Sequence, residues 1–260
     1  MYEDWWERFY PQDIKPEQRL EYYAKYFDTV ELNASFYHLP RRKTFENWGK
    51  KTPDRFVFSA KISKYITQNL KLKNADAPTE LFLKESTGLG KKLGVILVQL
   101  PPNLHGNLER LESFLSTVDG LQTTEKSLQP ADYRPQKRAD KAVDSSQLAV
   151  VRFAFEFRHE SWLNDEIYGL LRQYKAGFVI QDSVHWPAAE VVTSDFVYLR
   201  FHGPGALYSS NYPDSQLKTW AEKIKKWLEE GLDVYGYFNN DVNAYAVGNA
   251  LKLKGLVSKS

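Results

Sequence analysis

The sequence contains no cysteine, which excludes disulfide bonds, thiolate metal sites and cysteine nucleophiles. It also lacks any apolar run close to the roughly 20 residues that span a bilayer. The first residues, Met1 to Trp6, lack the basic and apolar regions of a secretory signal peptide. We therefore predict a cytoplasmic protein that does not interact with a membrane.

A large charge of one sign is also absent. Lys and Arg number 35 against 33 Asp and Glu, so the formal net charge is +2. This balance does not indicate a nucleic-acid partner, which would have to be bound by a local basic patch. The 260 residues, 42% hydrophobic and 15% aromatic, can bury a large core. Neither composition nor length indicates an oligomeric state.

The segment from Val150 to His159 carries the pattern on which the fold prediction depends. Its side chains alternate with a period of two, so three phenylalanines occupy one face while Glu156 and Arg158 occupy the other. The phenylalanine face requires a covering layer of helices, and the charged face then points into an enclosed interior.

Six further segments show the same apolar run ending in polar residues, namely 29–33, 56–61, 95–99, 178–182, 196–202 and 234–240. About seven helices are predicted with them, around 16–27, 44–51, 78–92, 108–118, 165–174, 214–229 and 244–253. Strands alternating with helices predict a parallel α/β sheet. Polar residues at every carboxyl end favour a TIM-type barrel, with a site at the mouth formed by those ends.

Residues 120–147 interrupt this alternation, because they are polar, contain Pro130 and Pro135, and show no regular period over most of their length. We interpret them as a mobile insertion in a single barrel domain that spans residues 1–260. An insertion between a helix and the next strand lies at the bottom of a barrel, away from the mouth.

Five motifs follow one another along the chain: Glu31-Leu-Asn33-Ala-Ser-Phe36-Tyr37, Gln99-Leu-Pro-Pro102, Glu156-Phe-Arg158-His-Glu-Ser-Trp162, Leu199-Arg200-Phe-His202-Gly203 and Tyr237-Phe-Asn239-Asn240. Together they make the chain resemble the YecE-like family, the domain of unknown function 72. The resemblance covers nearly the whole chain. It implies a TIM-type barrel without an agreed biochemical activity.

The chain departs from that family in two places. Members usually open with a strand carrying a Gly-Thr-Ser-Gly-Trp-like segment just before the Tyr-x-x-Trp motif, which here is Tyr2 to Trp5. The resemblance therefore implies that the first barrel strand is missing, which leaves two strand edges unpaired. A histidine usually follows the threonine that is Thr67 here, but this chain has Gln68, so no role of that histidine is transferred.

Two carboxylates are candidates for acid and base chemistry. Glu31 and Glu156 end the first and the fourth predicted strands, which lie nearly opposite in a barrel, so a ligand in the mouth would lie between them. The alternative is that Glu156 forms ion pairs with Arg158 or Arg200, since buried charges require partners.

Three cations at strand ends, Lys61, Arg158 and Arg200, together with the loop of residues 203–205, indicate a site for a carboxylate or phosphate group. The alternative is that these cations only neutralise Glu31, Glu156 and Asp182. Other polar or aromatic side chains at the strand ends are candidate binding residues: Asn33, Tyr37, Gln99, Tyr208, Asn239 and Asn240. Four aromatic residues are candidates for stacking on a sugar or base: Tyr37, Trp162, Trp186 and Tyr208.

Glu156, Asp182 and His202 end three successive strands and form the remaining candidate set. Such a set can bind a divalent metal. One histidine beside two arginines argues against a metal, so we predict no cofactor and a hydrogen-bonded His202, with a metal site as an alternative.

The preferred interpretation is an enzyme that acts on a small anionic, sugar-like substrate, phosphorylated or carboxylated. It would be a hydrolase, lyase or isomerase whose catalytic residues are Glu31, Glu156, Asp182 and His202. Two alternatives stay open: a non-catalytic binding protein for nucleic acid or a phosphorylated ligand, and a phosphodiesterase that depends on a divalent metal. Whether the protein is an enzyme stays open as well.

Overall fold

The strands of the chain form one parallel sheet in which each strand pairs with its neighbours in sequence order. The structure is a computed structural model and describes residues 5–123 and 151–258. The strands are β1 (Thr29–Leu32), β2 (Val57–Lys61), β3 (Leu93–Gln99), β4 (Arg152–Glu156), β5 (Gly177–Asp182), β6 (Phe196–Phe201) and β7 (Asp233–Phe238). The sheet curves into a nearly closed barrel, which confirms the predicted TIM-type fold with seven strands.

Helices lie before, between and after the strands and surround the sheet. They are α1 (Arg19–Tyr23), α2 (Ala34–Tyr37), α3 (Arg42–Lys50), α4 (Asp76–Ser86), α5 (Leu108–Thr123), α6 (Asp165–Gln173), α7 (Asp214–Glu229) and α8 (Tyr245–Val257). Within residues 5–123 and 151–258, no helix is both long and apolar enough to cross a membrane.

The period of two in the strands produces two separate cores. Outward residues such as Phe153, Phe155 and Phe157 pack in the large core between sheet and helices. Inward residues fill the barrel with a smaller apolar cluster that includes Leu97 and Ala154. The predicted division of the β4 segment into a phenylalanine face and a charged face is therefore confirmed.

Two predicted helices are shorter than the apolar pattern indicated. The first consists of a 3-10 turn at Pro16–Gln18 followed by the short α1. The second ends as α-helix at Ser86 and continues as a 3-10 segment, Thr87–Lys92, in which Gly90 has a φ of 55°. This left-handed conformation suits glycine and interrupts the helix. The sequence analysis also missed α2 and a π-helical turn at Tyr65–Asn69.

The predicted insertion falls largely outside the described residues. Helix α5 continues to Thr123, so the first residues of the segment 120–147 are helical rather than irregular. Residues 124–147 lie outside the part of the chain that the structure describes.

Strands β1 and β7 form the two edges of the sheet, as expected for a barrel with seven strands. No backbone hydrogen bond joins these two strands within the described residues. Side chains connect them instead. The hydroxyl of Tyr237 on β7 lies 2.7 Å from Thr29 Oγ1 on β1 and 2.8 Å from Ser59 Oγ on β2.

We expect Tyr237→Phe to lower the free energy of unfolding by about 2 kcal/mol, because it leaves the hydroxyls of Thr29 and Ser59 without this partner inside the barrel. Urea unfolding measures the change. Tyr26→Phe is the matched control, since it removes an exposed hydroxyl whose one partner among the described residues is Tyr22, and it should change stability by less than about 0.5 kcal/mol. Equal effects of the two substitutions would show that Tyr237 does not connect the edges.

Candidate functional site

Arg200 lies at the centre of the mouth and is buried. Strand β6 places it beside Gln181 of β5 and Tyr237 of β7, with its side chain inside the barrel. Its guanidinium donates to both carboxylate oxygens of Glu31, at 3.0 and 2.7 Å, and its Nη1 donates to Glu156. Arg200 thus links β1 and β4 across the barrel, and its nitrogens are all engaged in these ion pairs.

Glu156 is completely buried at the end of β4 and contacts two arginines. Besides the Arg200 contact, its Oε1 accepts a bond of 2.6 Å from Arg158 Nε. Burial alone raises the pKa of Glu156, but the combined attraction of Arg200, Arg158, His202 and Lys61 outweighs it and places the pKa below the usual range. Glu156 is therefore a permanent carboxylate. The ion-pair alternative describes its environment better than the role of general acid does.

Lys61, at the end of β2, is buried but has no carboxylate partner among the described residues. Its ammonium donates one hydrogen bond, 2.9 Å long, to Gln99 Oε1 and lies 4.0 Å from the centre of the Phe36 ring. Burial, helped by the nearby charge of Arg200, lowers the pKa of Lys61 to about 8. The amine can therefore gain or lose a proton near neutral pH.

Arg158 follows β4 and lies nearer the outside of the mouth than Arg200. Its guanidinium lies 4.4 Å from the centre of the Trp186 ring, and its Nη1 is 3.4 Å from the hydroxyl of Tyr208. Tyr208, which adopts a left-handed φ of 63°, lies in the loop after β6. Two loops thus contribute one aromatic side chain each around this arginine.

His202 is buried just after β6, and neither ring nitrogen has a hydrogen-bond partner within the described part of the chain. Its Nε2 lies 3.8 Å from Glu156 Oε1, too far for a hydrogen bond. Burial lowers the pKa of His202 to about 3, so the imidazole is neutral near pH 7. The predicted hydrogen bonds of His202 are not found among the described residues.

Two acceptors in the mouth also lack partners in this part of the chain. They are Oε1 of Gln181 and Oδ1 of Asn239, on inward positions of β5 and just after β7. With His202 neutral, the three cations and the two carboxylates leave one positive charge in excess. The mouth therefore offers donors to an anionic group and acceptors to hydroxyl groups.

Asp182 does not join this cluster. It is paired in register with the outward Phe201, whereas Gln181 is paired with Arg200. The Asp182 carboxylate accepts a bond of 2.9 Å from Trp220 Nε1 and lines a pocket of about 310 Å³ against α7. Burial raises its pKa. The structure thus directs the Asp182 carboxylate away from the side chains of Glu156 and His202. Residues 5–123 and 151–258 contain no group of three His, Asp or Glu side chains that could bind a metal.

Two other candidates also point away from the mouth. Asn240 donates to Ser210 O and to Asn249 Oδ1, at 2.9 and 2.8 Å, and so fixes α8 to the barrel. Trp162 is buried against Phe157, with ring centres 4.8 Å apart. Both residues stabilise the layer between sheet and helices.

The loop after His202 uses its amide donors internally. Gly203 N donates to the hydroxyl of Tyr212 at 3.1 Å, and the N–H groups of Gly205 and Ala206 both donate to Ser210 Oγ at 3.0 Å. Gly203 has a φ of 107°, and a Cβ on it would come within 2.5 Å of Ala206 O. The loop is built for a close turn, and these amides are not free for a phosphate group.

Of the remaining candidates, Gln99 lies inside the cluster as the acceptor of Lys61, with Arg200 Nη1 3.5 Å away. Asn33 precedes α2 without a side-chain cap bond, and Tyr37 lies on the rim with 69% of its surface exposed.

The sequence analysis missed Tyr198, whose hydroxyl donates a bond of 2.8 Å to Glu31 Oε2. Tyr198 lies two residues before Arg200, so the strand period was the signal that could have identified it.

The fold and the site define a TIM-type barrel protein with a buried charged cluster at the mouth. The sequence profile described as protein of unknown function DUF72 matches residues 1–260, so the chain belongs to this family. A DUF72 family protein from Thermotoga maritima MSB8 has a similar structure, with a TM-score of 0.77, 28% identity, and coverage of 99% of this chain and 96% of that one.

Two proteins with similar sequences carry the same kind of description. UPF0759 protein YunF of Bacillus subtilis is 22% identical in an alignment of 279 positions, which covers 95% of this chain and 89% of YunF. UPF0759 protein YecE of Escherichia coli K12 is 31% identical over 102 residues, which cover 39% of this chain and 38% of YecE. Neither name states an activity.

We expect His202 to make the stability of the protein depend on pH. The unfolded chain takes up a proton near pH 6.5, whereas the buried imidazole does so only near pH 3, so stability falls as the pH falls between these values. From pH 7 to pH 5 the wild type should lose about 2 kcal/mol through this residue. Urea unfolding at both pH values measures the loss, and His202→Gln should remove it.

The control is His185→Gln, which makes the same substitution at an exposed histidine. A wild type and a His202→Gln variant with the same dependence on pH would contradict the neutral, buried state of His202.

Proposed function

We propose that the protein binds a small anionic, hydroxylated compound at the mouth of the barrel and acts on it as an enzyme. The observation that carries this proposal is the excess positive charge in a buried cluster in which Lys61 and Arg158 keep N–H groups that no described residue accepts. A phosphate or carboxylate group supplies the negative charge that balances this excess. Hydroxyl groups of a sugar-like compound donate to the acceptor oxygens of Gln181 and Asn239.

The charged residues of the mouth divide into two groups in this proposal. Arg200, Glu31 and Glu156 hold each other and form the wall of the site. Lys61, Arg158 and His202 contact the ligand, because each has at least one N–H group without an acceptor among the described residues. Trp186 and Tyr208 flank Arg158 and contact the apolar faces of the compound.

We expect inorganic phosphate or small phosphorylated and carboxylated sugars to stabilise the wild type, by about 2.7 kcal/mol at one hundred times the dissociation constant. Arg158→Met should weaken binding at least about tenfold, because it removes a permanent positive charge from the mouth. Thermal shift and calorimetric titration measure both effects.

Arg172→Met is the matched control, since Arg172 is exposed on α6 and the substitution removes the same charge. It should leave anion binding unchanged. The proposal fails if none of these anions stabilises the wild type, or if the two substitutions weaken binding equally.

A second candidate function is the binding of single-stranded nucleic acid, and one surface favours it. The loops after β1 and β2, residues 33–45 and 62–75, contain no Asp or Glu. They expose Arg41, Lys64 and Lys73 beside Tyr37 and Tyr65, which are 69% and 54% exposed. Basic residues mixed with exposed aromatic rings are typical of surfaces that follow a phosphate backbone and stack on bases.

If this rim binds single-stranded DNA or RNA, replacing Arg41, Lys64 and Lys73 with Gln should weaken binding. The slope of log affinity against log salt should also become shallower by about 2, near 0.7 for each lost phosphate contact. Fluorescence anisotropy with a labelled oligonucleotide at several salt concentrations measures both quantities.

The control replaces Lys175, Lys218 and Lys226 with Gln, which removes the same charge from exposed positions elsewhere. Equal losses in the two triple variants would indicate binding through net charge alone and would contradict a specific rim.

A further inference from the structure

Lys61 and Lys92 are the two buried lysines among the described residues, each 8% exposed. Their ammonium groups differ in the number of hydrogen bonds that they donate to the protein. Lys92 donates to Gly49 O at 2.6 Å, to Thr52 O at 2.7 Å and to Thr52 Oγ1 at 3.3 Å. Within residues 5–123 and 151–258, Lys61 donates only to Gln99 Oε1. The ammonium of Lys92 is thus fixed by the chain, whereas that of Lys61 keeps N–H groups for a ligand.

The surroundings of Lys61 favour its uncharged form. The face of the Phe36 ring lies 4.0 Å from the ammonium and attracts it, but the guanidinium groups of Arg200 and Arg158 repel a further positive charge. Glu156 and Glu31 act in the opposite direction but are paired with those arginines. Burial is the largest cause of a pKa of about 8, which leaves about a tenth of the groups as free amine at pH 7. A desolvated lysine beside other cations is an activated nucleophile.

We propose that Lys61 forms an imine with a small anionic aldehyde or ketone, such as a keto acid or a phosphorylated carbonyl compound. The inference rests on the proposed function, because Arg158 must hold the anionic group in the same mouth. The amine nitrogen attacks the carbonyl carbon, and one amine proton moves to the carbonyl oxygen. With a second proton from solvent, that oxygen leaves as water, and a protonated imine remains on Lys61.

The test is reductive trapping of the intact wild-type protein. Sodium borohydride is added with pyruvate or with dihydroxyacetone phosphate, and mass spectrometry of the digested protein gives the labelled fraction of each lysine. The hydride converts the imine into a stable secondary amine. We expect Lys61 to be labelled at least about tenfold more than Lys92, a difference equivalent to 1.4 kcal/mol in the free energy of imine formation.

Three further measurements make the result specific. Neutral dihydroxyacetone should label Lys61 less than its phosphate does, because it lacks the anionic group. In urea, the difference between Lys61 and Lys92 should disappear, since it depends on the fold. Labelling of Lys61 should also rise with pH to a midpoint near 8, the pKa set by burial together with Arg200, Glu156, Glu31 and Arg158.

The outcomes separate this inference from the function on which it rests. If pyruvate or dihydroxyacetone phosphate stabilises the protein but Lys61 is labelled no more than exposed lysines, imine formation is overturned and anion binding stands. If neither compound binds and no phosphate or carboxylate does, both are overturned. Preferential labelling of Lys61 that Arg158→Met reduces for the anionic probes supports both.

Discussion

The interaction on which the mouth depends is the buried ion-pair network of Arg200 with Glu31 and Glu156. A charge in the interior is tolerated only with close partners, so the three residues fix one another in place. Glu31 lies on the edge strand β1, and Arg200 lies on β6, beyond the other edge strand. The network therefore bridges the gap between β1 and β7, where the described residues form no backbone hydrogen bonds. Together with the hydroxyl of Tyr237 it holds the barrel nearly closed.

This network also leaves other donors of the mouth without partners among the described residues. An arginine whose donors all point at carboxylates is part of the scaffold. Toward the described residues, Arg158 engages only its Nε and Nη1 groups, and Lys61 engages only one N–H. All these groups lie in the same mouth, so they differ in how many of their donors are bonded rather than in where they lie. Glu156 is central and buried, yet the two arginines keep it ionised, so it has no proton to donate as a general acid.

The barrel and its strands were predictable because each strand alternates apolar and polar positions with a clear period. The same period predicts which residues enter the mouth, although the sequence analysis applied it incompletely. Asp182 follows the outward Phe178 and Ile180, and Asn240 follows Phe238, so both belong to the outer face. The loop contacts had no such signal. The approach of Tyr208 and Trp186 to Arg158 depends on turns of irregular backbone that tertiary packing determines.

The proposed ligand requires a positive charge for its anionic group and an uncharged amine for its carbonyl group. Both requirements can be met only by different residues. An anionic group in contact with Lys61 would stabilise its ammonium form and raise its pKa, which would suppress nucleophilic attack. Arginine stays protonated, so Arg158 can hold the anion without any change of its own charge. Arg158 lies toward Trp186 and Tyr208, whereas Lys61 lies against Phe36 and Gln99. A ligand that extends between these two places satisfies both, with its anionic end at Arg158 and its carbonyl group at Lys61.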